Sequence, residues 1–368
     1  MQRRRILLLM FVWWLSMRLL WLHLQSRIDD GDDMRFMSHT FDSSNAGRFK
    51  SKRFEGYFED TSPQLLAIED ERALMGRKIS IATTFQLGNE EPSTDRRVIY
   101  ALQSWLEFVP GENIVALVDS QSTCSRLFAY GDPVRRIRCR VHECVHPNYR
   151  LPMLDCMLRS WAQLISTEIM MLTNADLLFY SELAEVVHWA FTERSLDAML
   201  IGRRTDVLIN STIENNMDLS TRYGRAKLRH NIAELGTLHG DLGIDFFIFR
   251  PQAVAILQPL PFLLGTWRWD NWLVSQALMT PSLHVVDVTD VVTAIHQGRE
   301  DPSKRTRSHA RSGSEYNDAL TKGHSGLRYR IGRVGNTPWR LVRHRVDGER
   351  VDASVERRRR RRKLQHYE

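Results

Sequence analysis

Between residues 77 and 300 short apolar runs alternate with longer amphipathic stretches. KISIATTF (78–85) is apolar and β-branched, and predicts a strand buried on both faces. RRVIYALQSWLEFV (96–109) spaces its apolar residues three and four apart, the period of a helix with one buried face. NIVALVDS (113–120) predicts a second strand closing on Asp119, and SRLFAYG (125–131) a short helix stopped by Gly131. VRRIRCRVH (134–142) alternates with period two, and LPMLDCMLRSWAQLI (151–165) is helical with Pro152 at its start. EIMMLTNADLLFY (168–180) predicts a buried strand ending at a polar turn, followed by a helix from SELAEVVHWAF (181–191) with Ser181 as N-cap. LDAMLIGRRTDV (196–207) predicts a further strand. Strands separated by helices of about 10–15 residues imply βαβ units, hence a Rossmann-like α/β domain with a mostly parallel sheet flanked by helices. Such sheets bind ligands at the carboxyl ends of their strands. Thr83, Asp119 and the turn Asn174–Asp176 stand at such ends.

Both ends of the chain differ from this middle. Three arginines (Arg3, Arg4, Arg5) precede a mostly apolar stretch from Ile6 to Leu24. As a helix it would reach ~28 Å, close to the hydrocarbon thickness of a bilayer. Arg18 within it would cost ~3 kcal/mol at the bilayer centre and less if it snorkels. No small-residue cleavage site follows, which favours an uncleaved signal anchor over a cleaved signal or a soluble amphipathic helix. The arginines would hold residues 1–24 as cytoplasmic tail and anchor of a single-pass type II membrane protein facing the ER or Golgi lumen. Residues 25–76 are polar and aperiodic, a stem or linker. Residues 301–368 are rich in Arg, Ser, Gly and His. They predict a basic, partly disordered tail with a short docked piece near 327–346.

Formal net charge is +7, yet Arg357–Lys363 carry seven positive charges. Residues 77–300 hold 21 Lys and Arg against 25 Asp and Glu, a net charge of −4. A mildly acidic body excludes a phosphate-tracking groove, so nucleic acid is not an expected partner. The four cysteines (124, 139, 144, 156) allow three full pairings in an oxidising lumen, or four reduced thiols. Asn210 in NST is a glycosylation acceptor if the domain is lumenal.

RVHECVHP (140–147) contains a literal H-E-x-x-H: His142, Glu143 and His146. Zinc proteases need both histidines on one helix face. Here the preceding residues alternate like a strand, and Pro147 pushes His146 out of helical geometry. A strand end running into a loop is the expectation, with Tyr149 and Arg150 toward the ligand side.

TNADLLFY (173–180) carries more chemistry, because an apolar strand stops at Asn174-Ala175-Asp176. With IGRRTDV (201–207), GIDFFIFRP (243–251), WRWDNWLVSQAL (267–278) and VVDVTDVVTAIHQ (285–297), this turn resembles the ordered segments of GT-A type glycosyltransferase-like proteins, or nucleotide-diphospho-sugar transferases, over 77–300. The resemblance implies a GT-A-like fold and a nucleotide-sugar donor, with a glycan or glycoprotein hydroxyl as acceptor. It implies that Asp119 contacts base or ribose, that Asp176 with Asn174 meets the diphosphate, and that Asp176 and His296 hold Mn²⁺ or Mg²⁺. The cation would neutralise the leaving group. Asn174 leaves the turn one charge poorer than a two-acid motif, which weakens a metal site. Asp270, after a Gly/Trp-rich loop, would be a general base toward the acceptor, with Asp245 in the same cleft. Arg203 and Arg204 would meet donor phosphate. Bland alternatives remain: Asp119 as an ordinary strand end, His296 as a core histidine, Asp270 as a helix cap beside core tryptophans. Two other functions also fit the sequence: a non-catalytic anchored binding or assembly subunit, and a protein acting through its arginine run.

Overall fold

The computed structural model describes residues 74–85, 87, 92–132, 134–298, 307–323, 332–346 and 350–357. The expected membrane anchor, the linker through residue 73 and the arginines beyond 357 lie outside the described residues. Among those described, no helix is long and apolar enough to cross a membrane.

The main sheet contains β1 (Ile79–Thr83), β2 (Ile114–Val118), β3 (Arg138–Val141), β4 (Ile169–Thr173), β6 (Ala198–Arg203), β9 (Ile244–Phe249), β10 (His284–Asp287), β12 (Trp339–Val346) and β13 (Arg350–Arg357). A small second sheet contains β5 (Leu177–Leu178), β7 (Thr205–Leu208), β8 (Gly236–Leu238) and β11 (Ile295–Gly298). The main order is β13-β12-β10-β6-β9-β4-β1-β2-β3. Strands β3, β2, β1 and β4 are mutually parallel, as are β6, β10 and β12. β9 runs antiparallel between β4 and β6, and β13 antiparallel at one edge. The fold is thus α/β with a mostly parallel sheet.

The apolar runs follow from burial on both faces. On β4, Ile169 and Met171 enter one core cluster, and Met170 and Leu172 the other. Helix Pro92–Trp105 covers the first face with Leu102 and Trp105. Helices Leu154–Leu164 and Trp269–Leu278 cover the second with Leu158, Trp161 and Trp272. Each fully buried Leu or Met is worth about 1.5–3 kcal/mol; truncating Trp161 to Ala would cost ~3–5 kcal/mol.

Several local expectations change. The strand expected over 168–180 breaks into β4 and β5, because the turn hands the chain to the second sheet. The strand expected over 196–207 also splits. A register shift between Ile201 and Arg203 ends β6, and Arg204 alone joins it to β7. Ser181 precedes helix Glu182–His188 in helical geometry and makes no side-chain cap.

The folded body does not stop at residue 300. Helix Arg307–Gly323 packs against the domain, and β12 pairs in parallel with β10. Polar, arginine-rich composition conceals these elements, because their contacts to the body are made by few residues. The cysteines form two disulfides, Cys124–Cys139 and Cys144–Cys156. Asn210 caps helix Ser211–Asn216, its side-chain oxygen accepting from Ile213 N at 3.0 Å.

Candidate functional site

The turn after β4 is fixed by its neighbours. Thr83 Oγ1, fully buried on β1, donates to the Thr173 carbonyl at 2.9 Å. Asn174 N donates to the Asp245 carbonyl on β9 at 3.1 Å. Gln297 Nε2 donates to the Asp176 carbonyl at 3.2 Å. Two paths of chain then bring further side chains to the turn. The β6 bulge hands the chain through Arg204 to β7 of the second sheet, which carries Asp206. There, β11 lies between β5 and β7, with His296 opposite Leu177 on one side and Asp206 on the other.

A connected network of charges results. His296 Nε2 stands 3.2 Å from Asp176 Oδ2, and His296 Nδ1 is 2.8 Å from Asp206 Oδ1. Asp206 Oδ1 also accepts from Arg204 Nε at 2.8 Å, and Asp206 Oδ2 is 2.5 Å from His239 Nδ1. Arg204 Nη1 donates to Asp245 Oδ2, and Asn174 Nδ2 donates to Asp245 Oδ1 at 2.7 Å. His239 needs Gly243, where any Cβ would overlap the imidazole. Asp270 lies in the first turn of helix Trp269–Leu278, whose N-cap is Arg268. Asp270 is therefore not the helix cap.

These environments set the charge states. Burial opposes the charge on His296, but its hydrogen bonds to Asp176 and Asp206 outweigh that and raise its pKa to about 9. Burial likewise opposes the charge on Asp206, and hydrogen bonds from His296 and His239, with the Arg204 charge, hold it well below the usual carboxylate range. On Asp176 burial again opposes the charge, but the His296 hydrogen bond and the charges of His296, Arg204 and Arg97 together outweigh it and lower its pKa. Asp245 moves the other way: burial and the Asp176 charge outweigh Arg204. Asp270 goes furthest. Burial and the Asp245 charge raise its pKa to about 7, against backbone hydrogen bonds from Asn271 and its own N–H. The site thus couples carboxylates held ionised to one poised near neutrality. That pattern marks a candidate for acid–base work.

Of the residues expected from sequence, Asn174, Asp245 and Arg204 meet directly, as do Asp176 and His296; Asp206 links the two sets, and Asp270 joins them electrostatically. Arg203 does not enter the network; its guanidinium lies 3.8 Å from Asp241. Thr83 serves as a tie between strands. Asp119 ends β2 and accepts from Thr123 Oγ1 at 3.0 Å, apart from the cluster. His142 and His146 are not on a helix: His142 Nδ1 accepts from Cys144 N and His146 Nδ1 from Asn148 N, at 3.1 and 3.2 Å. Tyr149 packs its ring against His146 and Tyr316 of helix Arg307–Gly323. Arg150 takes a left-handed φ of 56°. The tryptophans divide: Trp269 and Trp272 are core, whereas Trp267 is 68% exposed. Sequence reasoning missed Asp206 and His239. Asp206 stood inside a quoted segment, but its pairing with His296 spans 90 residues; His239 carried no local signal.

The expected cation ligands do not fit a metal shell as arranged. Both ring nitrogens of His296 face carboxylates, and Asn174 Nδ2 donates to Asp245 Oδ1. Asp176 Oδ1 is buried without a hydrogen-bond partner, but one oxygen does not make a Mg²⁺ or Mn²⁺ site. Among the described residues, no three His, Cys, Asp or Glu are grouped to hold a metal ion.

No model of a known protein family matches the chain, and no curated protein matches it. Similarity is found among solved structures. A structure described as a mycobacterial protein is 14% identical, covering 78% of this chain and 87% of that one, with TM-score 0.37. Staphylococcus aureus TarS, residues 1–349, is 12% identical with TM-score 0.38; the match covers 60% of each chain. For a longer TarS structure the chain spans 41% of that protein, at TM-score 0.39. Mannose-1-phosphate geranyltransferase from Thermus thermophilus is 13% identical over 60% of this chain and 74% of that one, at TM-score 0.32. At these scores the likenesses identify neither a family nor an activity for this chain, and the functional reading rests on the site.

Proposed function

We propose that the chain is a nucleotide-sugar-dependent glycosyltransferase of GT-A-like fold, transferring a sugar to a glycan or glycoprotein hydroxyl. The observation that carries this reading is the convergence of Asp176, Asp245 and Asp270 with Arg204 and His296, at the carboxyl end of β4 and the start of helix Trp269–Leu278. Open α/β sheets bind ligands at such ends. Two fixed cations, Arg204 and His296, would face the donor diphosphate and stabilise its developing charge. Asp270, with a pKa near 7, would accept the proton of the acceptor hydroxyl as that oxygen attacks the anomeric carbon. The exposed Trp267, three residues before Asp270, offers a face on which an acceptor sugar can stack.

Under this reading the domain is lumenal in the Golgi or ER and held by the N-terminal segment, with Asn210 as a glycosylation site. The reading gives no step to Mn²⁺ or Mg²⁺, because both ring nitrogens of His296, one of the two expected ligands, already face carboxylates. The test is transfer and hydrolysis of a panel of nucleotide sugars by the full chain, each with Mn²⁺ and with a chelator. Asp176→Ala should abolish turnover while leaving thermal unfolding within a few degrees. No turnover of any donor, together with no calorimetric binding of nucleoside diphosphates, would sink the proposal and leave a non-catalytic binding domain.

A further inference from the structure

The residues on either side of Asp270 are held by the C-terminal segment that composition marks as tail. Asn317, in helix Arg307–Gly323, is completely buried. Its Oδ1 accepts from Leu263 N at 2.8 Å. Its Nδ2 lies within hydrogen-bonding distance of the Leu263 carbonyl (3.0 Å), Thr266 Oγ1 (2.7 Å) and the Trp267 carbonyl (2.9 Å). One amide therefore fixes both ends of the loop 263–267. The next residue, Arg268, adopts φ 88°, a left-handed conformation strained for a residue with a side chain. Its Nε donates to Asp318 Oδ1, the neighbour of Asn317, at 2.6 Å. Beyond Asp270, Asn271 Nδ2 donates to the Gly332 carbonyl at 2.9 Å. Gly332 approaches the Asn271 backbone so closely that a Cβ there would overlap it.

We infer that Asn317 is a positioning residue for the reaction, acting through the loop 263–268 to set where the Asp270 carboxylate and the Trp267 ring stand. The inference rests on the assignment of Asp270 as base. Burial alone would be served by an apolar side chain. A buried amide with its hydrogen-bonding groups engaged instead dictates direction as well as distance. Strain at Arg268 persists when its surroundings over-determine it, and Asp318 with Asn317 supplies that constraint. Loosening the loop would admit water to Asp270 and shift it within the cleft.

The experiment compares the full chain with Asn317→Ala, measuring kcat, donor KM and the pH–rate profile. A displacement of about 1 Å costs on the order of 100-fold in rate. The expected result is a 10- to 100-fold loss in kcat, by that estimate, with donor KM within about twofold. The acidic limb of the profile should move to lower pH as Asp270 becomes hydrated. A merely structural role would lower the active fraction and leave the limb in place; that outcome, or unchanged kcat, overturns the inference. If Asn317→Ala does not fold, Asp318→Ala cuts the Arg268 tether at a half-exposed position. It should move the limb the same way, and an unmoved limb again overturns the inference. If the wild type turns over no donor, the transferase proposal fails by itself. The pH dependence of unfolding then decides, because the variant should lose stability less steeply between about pH 4 and 7 than the wild type.

Discussion

Replacing Asp270 by Asn should make the protein more stable and inactive, with the gain confined to neutral and alkaline pH. The folded-state pKa of Asp270 is raised to about 7 by burial and by the Asp245 charge, against an ordinary value near 3.9. Below about pH 4 the carboxyl is protonated in the folded and the unfolded chain alike, and its ionisation costs nothing. Between about pH 4 and 7 the unfolded chain releases the proton while the folded one keeps it, so stability falls as pH rises. Above pH 7 both states are ionised and the full cost, about 4 kcal/mol, is present. Asparagine keeps the shape, retains an acceptor for a backbone N–H and cannot ionise. Denaturant unfolding at pH 4.5 and pH 8.5 (working values, roughly bracketing the window) should show Asp270→Asn close to wild type at the lower pH and more stable by up to about 4 kcal/mol at the higher. Transfer should drop by about 10²–10⁴-fold, the usual worth of a general base. An equal shift at both pH values, or destabilisation at pH 8.5, would falsify the electrostatic account of the site.

Other outcomes follow from the same geometry. Trp267→Ala should raise acceptor KM by about tenfold, the equivalent of ~1.4 kcal/mol of lost stacking; donor KM and thermal stability should hold, because the ring is 68% exposed. Asp206→Asn removes the negative charge, and one of the two acceptor oxygens, that Arg204, His239 and His296 share. It should cost ~1–2 kcal/mol, an amount reduced by the partial exposure of the pair, and should lower kcat more than Arg203→Ala, read by unfolding and steady-state kinetics side by side. Peptide mapping without reductant should recover Cys124–Cys139 and Cys144–Cys156. With 15 residues separating the first pair, reducing it should cost about 3 kcal/mol; scrambled pairing would contradict the fold around β3. Gly243→Ala should displace His239 from Asp206, seen as loss of the His239 imidazole shift in NMR spectra without global unfolding.

Local pattern was enough to find most elements of the body and most residues of the charged cluster after β4. Apolar runs in β1, β2 and β4 are legible because a strand buried on both faces can hold little else. Helices Pro92–Trp105 and Leu154–Leu164 announce themselves by one buried stripe. Asn174 and Asp176 stand out because polar residues interrupt an apolar strand, and a turn is where chemistry can be displayed. The failure of H-E-x-x-H as a zinc site was equally local: Pro147 and the alternation before His142 leave no helix to align the imidazoles.

Tertiary structure decided everything that depends on partners distant in the chain. β9 is reversed between β4 and β6, and no period within its own six residues encodes a neighbour's direction. The bulge that ends β6 sends the chain through Arg204 into a second sheet with Asp206, and that sheet's register, rather than any motif, sets His296 between two carboxylates. Helix Arg307–Gly323 and β12 look like tail because their residues are polar, yet Asn317 and Gly332 hold the residues around Asp270 by hydrogen bonds between side chain and backbone that composition does not record. The sequence alone determined which charged and titratable side chains the chain carries. Their charge states and contacts were decided by folding, because burial and ion pairing arise between residues far apart in the chain, as Asp176 and His296 are.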